Sequence, residues 1–245
     1  MNTPVFFFAI IVMFNASADS NTTSLPAPEK IAHIPLPEGY KRIFQSENSF
    51  GFYLRELPLK KDQTVYLYNG QRKNNQSAQY AVLKMSVGDK DLQQCADAVM
   101  RLRAEYLKLQ NKPICFADNN RKTYCWAQYK QRGWQGYLET VFGMCGTISL
   151  EKELKQRTWT DITPGDVLIK GGSPGHAVVV MDVAQHNTTG ELIFLLAQSY
   201  MPAQDIHVLK NTSKKSLSPW YSVESNKIIE TPEWTFYASQ LRKWP

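Results

Sequence analysis

Two apolar runs either side of a short polar turn constrain this chain more than any other feature: HAVVVMDVA (residues 176–184) and ELIFLLAQSY (191–200), around the turn HNTTG. Runs of this length and branched-residue content read as buried strands, and the Asn-Thr-Thr-Gly segment lets them close as an antiparallel hairpin. Upstream, VLIK (167–170) leads through a Gly-Ser-Pro-Gly elbow directly into His176, which therefore opens a strand. A hairpin centred near residue 187 sets residue 176 opposite residue 198. The Gln198 carbonyl is then expected to accept an imidazole N–H from His176, with Ser199 and Tyr200 beside it and Asp205 or His207 approaching after the Met-Pro-Ala turn. The plainer alternative is a strand-end histidine satisfied by backbone or water.

The segment DLQQCADAVMRLRAEYLKL changes period. Cys95, Ala98/Val99, Leu102 and Tyr106 form a helical stripe, and Asp91 with Gln94 three residues on has the capping-box pattern, so a helix is expected to start at Asp91 with Cys95 in its first turn. A second helix is expected across WQGYLETVFGMCG, ending at Cys145 with Gly146 as a left-handed cap. A short polar helix (SLEKELKQ) and the turn TPGD follow. Before these, FGFYLREL, TVYLYNG and QYAVLKMSV read as β-runs, with Asn69-Gly70 marking a turn.

The N-terminal run Val5 to Phe14 is too short to span a bilayer and is followed by Ala16-Ser17-Ala18, the small-x-small form of a cleavage site. Residues 1–18 are expected to be a signal peptide, 19–36 an extended polar leader, and 37–245 a single α+β domain, with no membrane anchor after cleavage and a periplasmic or secreted location. In such a compartment the four cysteines can form disulfides, and Cys115 and Cys125 flank a turn centred near Asn120 that would set them across a hairpin. The net charge of +6 is scattered along the chain, which argues against nucleic-acid binding. No cofactor is expected. His33, His176, His186 and His207 are too dispersed to suggest a metal cluster, so a zinc site of His176, His207 and Asp182 is a distant alternative.

A thiol at a helix N-terminus gains from the unpaired N–H groups there, which makes Cys95 the candidate nucleophile, with His176 as its base and Gln198 orienting the ring. That setting predicts a Cys95 pKa well below the ~8.5 of a free thiol. Cys95, Thr163-Pro164-Gly165-Asp166-Val167, His176 and Gln198 follow the order of parts in papain-like cell-wall peptidases and amidases of the NlpC/P60 and CHAP type, which this stretch resembles. That resemblance implies an antiparallel sheet packed against a nucleophile helix placed N-terminal to it, and an exported cysteine hydrolase cleaving an amide or peptide bond, possibly in cell-wall peptide. The long interval between Cys95 and Gly165 implies an insertion, which the Cys115/Cys125 hairpin would supply. A second resemblance covers most of the chain: LQQCADAVMRLRAEYL, GDVLIKGGSPGHAVVVMDVA, FLLAQSYMPAQDIHVL and SPWY are similar to an uncharacterised family of exported bacterial proteins from Bacteroidetes, domain of unknown function 4846. It implies no activity. The other class of function is a non-catalytic envelope binding module on a peptidase-like frame, with Trp220, Tyr221 and Trp234 as exposed ligand contacts.

Overall fold

The structure is a computed structural model that describes Met1, residues 27–222 and residues 227–245. The expected signal peptide and its cleavage point lie outside the described residues, apart from Met1. In chain order the elements are β1 (Tyr40–Arg42), α1 (Phe50–Glu56), β2 (Gln79–Val82), α2 (Cys95–Leu109), β3 (Cys115–Ala117), β4 (Thr123–Cys125), α3 (Trp126–Tyr129), α4 (Gly133–Met144), α5 (Thr147–Glu153), β5 (Lys155–Gln156), β6 (Val167–Lys170), β7 (His176–His186), β8 (Leu192–Gln198), β9 (His207–Leu209), β10 (Tyr221–Ser222), β11 (Ile228–Glu230), β12 (Thr235–Tyr237) and β13 (Leu241–Lys243). No described helix is long and apolar enough to cross a membrane.

Nine of these strands form one sheet in the order β2-β9-β8-β7-β6-β13-β5, with β1 added on β7 and β10 on β8, and its pairings are antiparallel. The fold is thus α+β around a large antiparallel sheet. Strands β7 and β8 are apolar on both faces because both faces are covered. Ala177, Val179, Met181, Leu195 and Ala197 pack towards Leu54, Val99, Leu102, Leu138 and Val141 of the helices, together with Ile31 and Ile34 from the N-terminal side. Val178, Val180, Phe194 and Leu196 pack the other way, against Ile229, Phe236 and Leu241.

Several local expectations change. FGFYLREL is helical: Ser49 caps it by accepting the Phe52 N–H at 3.0 Å, and Phe50 and Leu54, one turn apart, are both buried. TVYLYNG makes only isolated bridges, Tyr66 to Arg72 and Leu67 to Gln204, around the Asn69-Gly70 turn. The first helix of the site is capped by Gln94, not Asp91. Asp97 supplies the return bond, accepting the Gln94 N–H at 2.9 Å, while Asp91 Oδ1 is taken by the Ala203 N–H at 2.6 Å. Gly146 is extended (φ −164°) and begins α5 instead of ending α4 with a left-handed residue. The interval between Cys95 and Gly165 holds α2 to α5 as well as the hairpin, in which Cys115 pairs with Cys125 and the two are joined by a disulfide. Trp220 and Tyr221 are buried, and the Trp220 indole donates to the Pro35 carbonyl at 2.7 Å, so neither is an exposed ligand contact.

Asp182 lies at the heart of the frame. Its two carboxylate oxygens each receive one guanidinium, Arg55 Nε and Arg42 Nε, both at 2.6 Å, and the carboxylate is fully buried. Removing that charge leaves two arginines facing apolar surroundings, a loss of about 3–5 kcal/mol for a buried pair broken from one side. Urea unfolding of Asp182→Ala is expected to show a loss of that size; a change under about 1 kcal/mol would contradict this assignment. The same bonds occupy Asp182 fully, which takes it out of the zinc alternative.

Candidate functional site

Loops, not helices, bring the site together at one end of the sheet. Ser199, directly after β8, donates from Oγ to the Gln93 carbonyl at 2.8 Å and accepts the Gln204 N–H at 3.3 Å. Asp91 holds the Ala203 N–H. These bonds tie the chain entering α2 to the chain leaving β8, and so fix Cys95 relative to Gln198. On the other side, the elbow before β7 is held by Thr147 at the start of α5, whose Oγ1 lies 3.3 Å from the Gly172 carbonyl oxygen. A Cβ on Gly175 would stand 2.5 Å from both the Gly172 carbonyl oxygen and Thr147 Oγ1, and Gly172 has φ +150°, so the elbow needs glycine at both positions.

His176 and Gln198 meet, by a different register from the one the hairpin arithmetic used. The ladder sets Val179 against Ala197 and Gln185 against Leu192, with a bulge between Val180 and Asp182, so Gln198 lies diagonal to His176 instead of opposite. Even so, His176 Nε2 and Gln198 Oε1 are 2.9 Å apart. The surrounding bonds fix the proton positions. His207 Nδ1 lies 2.9 Å from the Asp205 carbonyl, which can only accept, so Nδ1 carries the His207 proton and its Nε2 is an acceptor. Gln198 Nε2 donates to Glu233 Oε2 at 2.7 Å and faces His207 Nε2 at 3.4 Å. Its amide oxygen must therefore face His176, whose Nε2 carries the hydrogen, leaving Nδ1 with the free lone pair. Glu233 is held in turn by Lys73 Nζ at 2.6 Å and Asn75 Nδ2 at 3.2 Å.

The imidazole is boxed by aromatic rings, with centroids at 4.8 Å for Tyr200, 5.3 Å for Trp234 and 5.8 Å for Phe236. Burial pushes the His176 pKa down to about 4, partly offset by the Gln198 bond and the Glu233 charge. Burial and then the Lys73 charge bring His207 down to about 3. Both rings are neutral at neutral pH.

Cys95 is the first residue of α2, half-buried and unbridged. Contrary to the sequence expectation, its thiol is pushed up to about 11, by burial first and the Asp97 carboxyl second; the backbone N–H groups of Ala177, Ala96 and Cys95 itself oppose the shift. Desolvation outweighs the helix terminus. Cys145, buried at the end of α4, is pushed up to about 12, again chiefly by burial. Cys95 and His176 line one cleft of about 590 Å³, together with Asp97, Tyr200, Met201 and Trp234. No hydrogen bond joins thiol and imidazole among the described residues. The reason lies in the sheet: Cys95 starts a helix packed on one face, whereas His176 and Gln198 project with Val178 and Leu196 to the other, and the groups share the cleft only because it opens at the strand ends.

Sequence reasoning missed Lys73, Asn75, Glu233 and Asp97 as site residues. Each is remote in sequence or hidden in a pattern of another kind, Asp97 being visible only as a polar residue beside the helical stripe.

These features define an α+β protein in which an imidazole and a glutamine amide from the antiparallel sheet lie at one end of it, with a thiol from a helix start lining the same cleft as the imidazole. The chain belongs to the family described as domain of unknown function (4846), whose model matches residues 31–135 and 114–243. No curated protein and no solved structure matches it.

Proposed function

We propose that the protein is an exported bacterial cysteine hydrolase of papain-like, NlpC/P60-like design that cleaves an amide or peptide bond, with cell-wall peptide as its substrate and the periplasm or exterior as its location. The observation that carries this reading is the oriented imidazole: Gln198 holds the Nε2–H, which leaves Nδ1 with its lone pair, and His176 and Cys95 line the same cleft. Cys95 Sγ bonds to the scissile carbonyl carbon as its proton passes to His176 Nδ1. The C–N bond then breaks, and the imidazolium returns that proton to the leaving amine. Water, deprotonated by the same nitrogen, attacks the thioester and releases the acid and the free thiol. With thiol and imidazole both neutral at rest, the proton moves during attack, and substrate binding must close the two groups on each other. The Cys95 and Ala96 N–H groups at the start of α2, which act on the thiol in the free protein, are the donors nearest the nucleophile for the oxyanion.

The raised thiol pKa and the lack of a thiol–imidazole bond favour a second reading, a peptide-binding module that keeps the frame without the chemistry. Incubation with cell-wall peptide fragments separates the two. Hydrolysis is expected to release one new amine per cleavage and to vanish in Cys95→Ala; binding without release of amine would leave the module.

A further inference from the structure

A second pocket, of about 220 Å³, shares no lining residue with the thiol cleft and lies where the loop before β6 meets the end of β13. Three cations from separate elements line it: Arg103 of α2, Arg157 directly after β5, and Lys243, the last residue of β13. A single side-chain carboxylate answers them. Asp166 accepts from Arg157 Nε at 3.0 Å and from the Thr163 N–H at 2.9 Å, while Arg157 Nη2 donates to Thr163 Oγ1 at 3.2 Å. Burial pushes the Asp166 carboxyl up to about 6, against the Thr163 N–H and the Arg157 and Lys243 charges, so it is ionised at neutral pH and committed to Arg157.

Arg103 and Lys243 have no such counter-charge. Neither side chain makes a hydrogen bond or an ion pair among the described residues, and Pro245, which also lines the pocket, makes no ion pair with them. The Arg103 guanidinium stands over three rings instead, 5.1 Å from the centre of Phe50, 5.4 Å from Tyr106 and 5.2 Å from Trp244. Phe50 is fixed in its turn, since it lies against Gly165 (φ +97°), where a Cβ would stand 2.5 Å from the ring. Rings hold a guanidinium in place by its faces and leave the N–H donors at its edge unused. Burial pushes the Arg103 pKa down from its ordinary value, opposed by Tyr106 alone, so the fold carries the cost of this charge with no acid to offset it.

We propose that this pocket binds a dianionic phosphoryl group, with the Arg103 guanidinium gripping two of its oxygens, Lys243 supplying the second charge, and Arg157, oriented by Asp166, forming the wall behind them. Two uncompensated cations match the charge that such a group carries near neutral pH, and the planar fork of an arginine matches its paired oxygens. A carboxylate ligand would leave one of the two cations unanswered. The site is independent of the hydrolase reading and gives the protein a second ligand, bound apart from the thiol.

Titration calorimetry of the full-length protein at about pH 8, where phosphate is a dianion, tests the site with inorganic phosphate, glycerol 3-phosphate and acetate as probes. Both phosphates are expected to bind saturably, and acetate about tenfold more weakly. Arg103→Gln should weaken phosphate binding about tenfold and Lys243→Gln about fivefold, whereas Lys130→Gln, which removes the same charge from an exposed position outside the pocket, should leave it within about twofold. Thermal unfolding shows whether each variant is folded, and Lys243→Gln decides the matter alone if Arg103→Gln is not. Tighter binding of glycerol 3-phosphate identifies an ester, such as a lipid headgroup, as the source of the group; otherwise the free ion is the ligand, and either result sustains the pocket. Absence of binding by both phosphates, acetate binding as tightly as phosphate, or a loss in Lys130→Gln as large as in the pocket variants would overturn the proposal.

Discussion

Replacing His176 with alanine is expected to remove the reactivity of Cys95 at neutral pH and to lower turnover by about 10²–10⁴-fold, the span of a positioned general base. The pH dependence makes this specific. In the wild type, alkylation of Cys95 by iodoacetamide should rise as the imidazole loses its proton near the His176 value of about 4, run level through neutrality, and rise again as free thiolate forms towards about 11. The sign follows from the charges: burial penalises both imidazolium and thiolate, so the window between the two values belongs to a neutral pair, in which the base works by taking a proton. His176→Ala should erase the first rise and the level stretch and leave the second. The substitution should also lower stability, since it opens a space among Tyr200, Trp234 and Phe236 and leaves Gln198 Oε1 without its partner, so thermal unfolding is measured alongside. A profile unchanged by the substitution would mean that the imidazole does not address this thiol.

Gln198→Ala is expected to be the next most damaging change, by about 10²-fold in kcat, because a base out of place by an ångström forfeits that much. The loss has a structural part as well. Two buried groups, His176 Nε2 and His207 Nε2, lose their common partner, which should cost about 1–3 kcal/mol of stability, while the half-buried Glu233 Oε2 keeps Lys73. Glu233→Gln separates positioning from bulk: it leaves the Gln198 amide free to turn over, and a nitrogen-15 NMR spectrum should then show His176 leaving the pure Nε2–H tautomer of the wild type. A wild-type ring protonated on Nδ1 would contradict the hydrogen-bond assignment from which this prediction follows.

The strand VLIK, the long hairpin, the Cys115 and Cys125 pairing and the helix carrying Cys95 were legible because each has a local signal: β-branched runs, turn residues and a change of period. The contact between His176 and Gln198 was legible as a neighbourhood and not as a register, since the hairpin closes about a point later than residue 187 and the bulge between Val180 and Asp182 then shifts the ladder by one residue, which brings both side chains to one face. FGFYLREL was misread as a strand because its aromatic content outweighed the Ser49 cap. Glu233 and Lys73, which fix the proton on His176, come from loops far along the chain, and no local pattern announces a pairing of that kind. The Cys95 pKa was misjudged in direction because a helix start is visible in sequence and burial of its first residue is not.

The central claim is that Cys95 forms the bond to the substrate, and rapid-quench mass spectrometry with a cell-wall peptide fragment tests it most directly. The account predicts an adduct of the acyl portion on the Cys95 peptide during turnover, formed as the amine is released and lost as the acid appears. Turnover with no adduct, or an adduct on Cys145 instead, would contradict it.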